Sequence, residues 1–211
     1  MTDDPKALVA VGYDAIAETY LERYGRSTVR DCWLGELITR LPQRARVLYL
    51  GCGAGLPVAR ELAARGFDVV GVDGSARQIE MARRNVAGSE FIQADITTVE
   101  LSPAAFDAVA AFYSMTHISR EEHPALLQRI ATWLKPGGLF IASMGAGQLR
   151  DHCEEWLGVP MFFSHYGADE NIELVHAAGL TVERTDVVAQ DNEDASFLWI
   201  IARRPQISAA P

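Results

Sequence analysis

Val47-Leu48-Tyr49-Leu50-Gly51-Cys52-Gly53-Ala54-Gly55, followed by Val69-Val70-Gly71-Val72-Asp73, is the stretch whose reading decides the fold. It reads as strand, glycine turn, helix, strand, acid. The apolar run Val47 to Leu50 suits a strand covered on both faces. Glycines then let the backbone turn sharply and approach a ligand that a side chain would block. A helix is expected over Leu56 to Arg65 and a second strand over Asp68 to Val72. Asp73 closes that strand about 20 residues after the first glycine, where an acid can accept hydrogen bonds from ribose hydroxyls. Its plainer alternative is an acid interacting with the dipole of the next helix.

The spacing also argues against other ligands. The turn is Gly-x-Gly-x-Gly, not the Gly-x-Gly-x-x-Gly of a dinucleotide site, and no Gly-Lys-Ser or Gly-Lys-Thr follows. With these residues the chain resembles the class I S-adenosylmethionine-dependent methyltransferases. Their motif usually reads Asp-Leu-Gly-Cys-Gly-x-Gly, and the glycine loop packs on the amino-acid part of the cofactor. The resemblance runs from about Tyr13 to Arg203 and is strongest between Val47 and Gly138. Tyr49 departs from it. The family usually has an acid there, which helps hold the positive end of the cofactor. A tyrosine can hydrogen-bond but is uncharged near neutral pH.

The 211 residues fit one domain, 1–211, with a sizeable core. Apolar residues make up 49% and charged residues 22%, which suits a soluble globular chain. The net charge of −9 disfavours nucleic acid and anionic membranes as partners. The N-terminus lacks an apolar signal core, and no run reaches membrane-spanning length, so a cytoplasmic protein is expected. Cys32, Cys52 and Cys153 form no Cys-x-x-Cys unit, and no ligand cluster for a metal is visible.

Outward from the motif, helices are expected over Ala7 to Tyr24 and Thr28 to Leu41. Residues 1–6 and 205–211 read as frayed ends. Further strands are expected at Glu90 to Gln93, Phe106 to Ala111, Leu139 to Ser143, Leu180 to Val188 and Ser196 to Ala202. Helices are expected at Ser75 to Val86, Arg120 to Leu134 and Ala168 to Ala178. Gly145 to Tyr166 reads as irregular and aromatic-rich. Strand–helix alternation argues an α/β, doubly wound, mostly parallel seven-stranded sheet, with the last strand inserted antiparallel. Ligands in such sheets lie beyond the carboxyl ends of the strands, so the loops after Leu50, Val72, Gln93 and Ala111 should converge.

The resemblance implies S-adenosylmethionine as cofactor, S-adenosylhomocysteine as its product, and a set of site residues. Gly51, Cys52 and Gly53 form the turn, with Tyr49 before it. Asp73 and Gly74 lie at the ribose. Asp95, Ile96 and Gln78 lie around the adenine, although Asp95 also reads as a turn aspartate. Phe112 and Tyr113 lie at the methionine portion. Tyr13 and Tyr20 belong to an N-terminal helical lid, 7–42, or to an amphipathic helix packed on the core. His117 is a candidate general base, since neutral imidazole can take a proton from a hydroxyl or amine. His165 and Tyr166, in an acceptor-side insertion at 145–167, are alternative bases. The implied activity is methyl transfer to oxygen, nitrogen or carbon of a small, fairly apolar molecule by a monomer or homodimer. A cyclase, isomerase or binding module on the same fold is a second reading, and a peptide or protein methyltransferase a third.

Overall fold

A computed structural model describes residues 4–191 and 193–206. Seven strands form one sheet in the order β3-β2-β1-β4-β5-β9-β8. These are β1 (Arg46–Leu50), β2 (Asp68–Asp73), β3 (Glu90–Gln93), β4 (Phe106–Ala111), β5 (Leu134–Gly145), β8 (Thr181–Ala189) and β9 (Ser196–Arg203). β1 to β5 run parallel, and β9 pairs antiparallel with both β5 and β8. The doubly wound sheet expected from the alternation is the observed one.

The alternation of side chains in β1 shows how both faces fill. Leu48 and Leu50 join Val70, Val72 and Phe140 on one face, under Leu126, Leu127 and Ile130 of helix α5 (His123–Trp133). Val47 and Tyr49 point the opposite way, as period 2 requires. There they meet helices α2 (Thr28–Arg40), α3 (Val58–Ala64) and α4 (Ala76–Asn85) through Leu37, Leu62 and Ile79. Trp33 of α2 stacks on Trp199 of β9 with ring centroids 5.6 Å apart. Helix α6 (Ala168–Ala177) packs Val175 into the first face.

The structure corrects four expectations. Gly145 to Tyr166 is not irregular: β6 (Leu149–Trp156) and β7 (Val159–His165) form an antiparallel hairpin. Adjacent Met161 and Phe162 in β7 are both buried and β6 is almost wholly exposed, so neither strand shows a period-2 pattern. The strand expected from Leu139 begins at Leu134, so Pro136-Gly137-Gly138 lies inside β5, where the register with β4 shifts between Phe106 and Ala108. The chain is ordered before Ala7. Helix α1 (Pro5–Tyr24) starts at Pro5, and Asp4 caps it by accepting from the Lys6 amide at 3.0 Å. Asp4 to Lys6 therefore belong to the fold, while the rest of the ends expected to fray, residues 1–3 and 207–211, lies outside the described residues. Finally, the two helices expected as a lid divide. α1 lies over the strand ends, whereas α2 buries Trp33, Leu34 and Leu37 against the sheet.

His123, fully buried at the start of α5, donates from Nε2 to the Ile118 carbonyl at 3.2 Å. Burial holds its pKa down at about 4, so it stays neutral in the fold. An unfolded chain protonates the same ring near pH ~6.5. Between those values the unfolded state binds the extra proton, so stability present above about pH 6.5 is lost as the pH falls toward 4. The expected result is a fall in urea midpoint across this window, with His123 contributing on the order of 3 kcal/mol. His123→Leu should flatten the pH dependence; an unchanged slope would remove His123 as its source.

Candidate functional site

The site is built at the carboxyl ends of β1 to β4. After Leu50 the chain must turn at once, and Gly51 takes φ +67°, in the left-handed region. A Cβ there would lie 2.3 Å from Cβ of Ser114. The amides of Gly51 and Cys52 both donate to the Val72 carbonyl, at 2.8 and 3.0 Å. Asp73 completes the clamp. Its Oδ2 accepts from the Gly53 amide at 2.8 Å and its Oδ1 from the Ser75 amide at 2.9 Å. Desolvation raises the Asp73 pKa, while those two amides oppose the shift. Each carboxylate oxygen keeps lone-pair capacity facing the cavity.

A cavity of about 320 Å³ opens above this turn. The four strand-end loops converge on it as expected: Gly51 and Gly53, Asp73 and Gly74, Asp95 and Ile96, and Phe112 and Tyr113 all line it. Tyr13 and Tyr20 of α1, Gln78 of α4 and His117 complete the group of expected residues found there. Tyr49 and Cys52 do not reach it. They line a side recess of about 40 Å³ beside the turn. Tyr49 is 7% exposed and packs edge-on against Phe112, and its burial pushes the phenol pKa far up. Burial likewise holds the Cys52 thiol protonated.

A second lobe of about 60 Å³ continues from the cavity past Tyr13, Tyr20, Tyr113 and His117, which line both spaces. Trp156 and Phe163 from the hairpin form part of its wall. His165 and Tyr166 line neither space. They sit at the base of the hairpin: His165 Nδ1 donates to the Gly147 carbonyl at 2.7 Å, and Tyr166 lies under the Arg120 guanidinium at 4.8 Å. The extended pairing of β6 with β7 carries Trp156 and Phe163 to the cavity and leaves these two behind.

His117 follows β4 in a short helical turn, Met115–His117. Its Nδ1 lies 2.9 Å from the Phe162 carbonyl, which can only accept, so Nδ1 carries the proton. Nε2 therefore presents its lone pair and accepts from the Tyr13 hydroxyl at 2.9 Å. Desolvation lowers the His117 pKa to about 4, so this imidazole is neutral at physiological pH. Tyr113 sits at φ +61°, an uncommon conformation for a bulky residue, and its amide donates to Ser143 Oγ at 2.7 Å.

Helix α1 is clasped over the cavity at three points. Lys6 reaches Asp95 at 2.9 Å and Glu122 at 2.6 Å. Asp14 accepts from Ser75 Oγ at 2.6 Å and from the Arg77 amide at 2.9 Å, adding a cap to α4. Tyr13 bonds His117. Gly12 lets the helix approach β7, since a Cβ there would meet Met161 Cε at 2.9 Å.

Three residues escaped sequence reasoning. Lys6 was hidden in an apparently frayed end. Glu193 lies in the connection between β8 and β9 and lines the second lobe. Arg30 lines the side recess, 5% exposed, with its guanidinium on the carbonyls of Tyr24 at 2.8 Å and Gly25 at 3.0 Å. A signal existed for Arg30: it shares the inward i, i+3, i+4, i+7 face of α2 with Trp33, Leu34 and Leu37.

Residues 47–138 match the family model of a methyltransferase domain. Over that span the chain is similar to S-adenosylmethionine-dependent methyltransferases, and its sheet has their fold. It is 32% identical over 126 residues to a malonyl-[acyl-carrier protein] O-methyltransferase of Enterobacter lignolyticus, covering 58% of this chain and 49% of that protein. It is also 32% identical over 169 residues to phosphoethanolamine N-methyltransferase 1 of Arabidopsis thaliana, covering 75% of this chain and 32% of that one. The chain thus spans about half the length of the first and about a third of the second. In fold it is similar to the 1,6-didemethyltoxoflavin-N1-methyltransferase of Burkholderia thailandensis, solved with 1,6-didemethyltoxoflavin and S-adenosylhomocysteine. The TM-score is 0.75 at 19% identity, over 98% of this chain and 92% of that one.

The residues present fit the family's cofactor. Gln78 is 1% exposed, lines both the cavity and the recess, and both polar atoms of its amide lack a partner. Such an orphaned pair is costly unless a ligand meets it. At Gly53 a Cβ would meet only Gln78 Oε1, at 3.7 Å, so the turn stays open there to close approach by a ligand.

Asp73→Ala is expected to weaken S-adenosylhomocysteine binding by about tenfold or more if Asp73 is the ribose acceptor, because it also orphans the Gly53 amide. Calorimetric titration alongside a circular-dichroism check of folding would measure this. Native affinity in a folded variant would remove the assignment.

Proposed function

We propose that this protein transfers the methyl group of S-adenosylmethionine to a small molecule seated in the aromatic lobe. The observation that carries the reading is the continuity of the two spaces across Tyr13 and His117, with the glycine clamp on one side and a small aromatic-walled lobe on the other. The cofactor supplies a methyl already activated on a sulfonium. The protein's own residues then need to align the acceptor, exclude water and accept a proton.

Assignments follow from the geometry. Asp73 receives the ribose hydroxyls, and Ile96 with Gln78 borders the base. Arg30, already buried beside the glycine turn, offers its guanidinium to the carboxylate of the methionine portion. Asp95 is engaged by Lys6 and by Thr97, whose amide and hydroxyl donate to it at 2.8 and 2.9 Å. Contact with the exocyclic amine of adenine therefore requires Asp95 to share or exchange the Lys6 bond. Trp156, Phe163 and the tyrosines of α1 shield the transfer from water. His117 receives a proton through Nε2, either directly or by way of the Tyr13 hydroxyl that donates to it. The lobe is small, about 60 Å³, which favours a small molecule over a peptide segment.

Titration with S-adenosylmethionine and, separately, S-adenosylhomocysteine tests the reading. Micromolar binding of both is expected. Binding of neither would overturn the cofactor site, and binding without turnover across an acceptor screen would favour a cyclase, isomerase or binding module. His117→Gln is expected to lower kcat about tenfold to a hundredfold while leaving cofactor affinity within about twofold. Unchanged kcat would sink the base role.

A further inference from the structure

The aromatic lobe carries one carboxylate and no basic side chain. The Tyr24 and Trp156 rings stack with centroids 5.6 Å apart, and Tyr20 lies 5.9 Å from Trp156. Phe163 stands nearly perpendicular to Trp156 at 6.0 Å. Glu193 completes the wall, accepting from the Tyr24 hydroxyl at 3.1 Å. Arg23 donates to that hydroxyl at 3.3 Å and acts on Glu193 through space, but it does not line the lobe. His117 is the other ionisable group of the lobe besides the phenols, and its tautomer, fixed by the Phe162 carbonyl, leaves it uncharged.

This arrangement selects by charge. Ring faces carry negative potential, and a carboxylate among them adds a full charge in a poorly solvated place. An anionic acceptor, such as a carboxylate or phosphate, would meet Glu193 with no lysine or arginine lining the lobe to offset it. A neutral hydroxyl acceptor would leave the Glu193 charge unmatched and partly desolvated. An organic cation satisfies both the rings and the acid. Burial pushes the Glu193 carboxyl upward, while the Tyr24 hydroxyl and the more distant Arg23 charge only partly oppose it.

We propose that the lobe is an acceptor subsite for a small organic ammonium, held by the ring faces of Tyr20, Tyr24 and Trp156 and by the carboxylate of Glu193. The proposal rests on reading the larger cavity as the cofactor site, and it narrows the acceptor from any small molecule to an amine. The bound ammonium must first give up a proton, to His117 Nε2 by way of the Tyr13 hydroxyl or to solvent, before its lone pair can take the methyl group, and Tyr13 and His117 line the lobe where that nitrogen sits.

The test uses the whole protein near pH 7 and two probes of matched shape. N,N-dimethylaminoethanol is protonated there, and 3-methylbutan-1-ol is its neutral isostere. Each is titrated by tryptophan fluorescence and calorimetry, with and without saturating S-adenosylhomocysteine. The expected result is that the ammonium binds about tenfold or more tightly than the alcohol. Glu193→Gln and Trp156→Leu should each erase most of that preference and leave S-adenosylhomocysteine affinity within about twofold. Equal binding of the two probes, binding of neither, or an undiminished preference in Glu193→Gln would overturn the proposal. So would loss of S-adenosylhomocysteine affinity in both variants, which would assign the lobe to the cofactor. If wild-type protein takes the ammonium selectively but does not bind S-adenosylhomocysteine, the cation site stands and the cofactor reading falls.

Discussion

The hydrogen bond from the Gly53 amide to Asp73 is the constraint on which the site depends. It ties the loop after β1 to the end of β2, so the glycine turn cannot drift from the neighbouring strand. The two amides on the Val72 carbonyl reinforce it. The same carboxylate fixes the start of α4 through Ser75, so turn, strand and helix share one anchor. Removing water from this acid raises its pKa, and the backbone amides compensate part of that cost. A charged side chain thereby stands at the cavity floor, with the parallel sheet behind it keeping its position.

Parallel pairing explains why everything converges there. Each strand from β1 to β4 ends at the same edge, and the next segment must leave over it. Helix α1 then closes the opening from above with groups that also serve the site. Tyr13 completes the hydrogen bonding of His117, Asp14 caps α4, and Lys6 neutralises Asp95. The closure thus combines these polar contacts around the cavity with apolar packing, in which Ala17 meets Ala54 and Met81.

The central sheet was legible because its signals are local. Apolar runs, glycine turns and amphipathic helices at Val47 to Gly138 carry their own periodicity, and the cofactor-side residues sit directly at strand ends. The hairpin at β6 and β7 was not legible. Arg150, Asp151, Glu154 and Glu155 in β6 broke the apolar alternation, since that strand is mostly solvent-facing. A strand with one partner and an exposed face carries a weak pattern. That mistake also misplaced His165 and Tyr166, whose reach toward the cavity was argued from an irregular loop.

By itself, the sequence determined the doubly wound sheet, the glycine turn, the acid at Asp73 and the aromatic character of the segment that forms the hairpin. Each depends on neighbours a few residues apart, where side-chain period and turn chemistry leave few alternatives. Only the tertiary structure decided which of those groups meet. It brought Tyr13 to His117 across 104 residues, Lys6 to Asp95, and Tyr24 to Glu193 across 169 residues. It also turned Arg30 inward beside the glycine turn and left Gln78 facing the cavity without a partner. Contacts at such separations are set by how helices and the hairpin pack on the sheet. That packing is a property of the whole buried surface, which no local stretch of residues encodes.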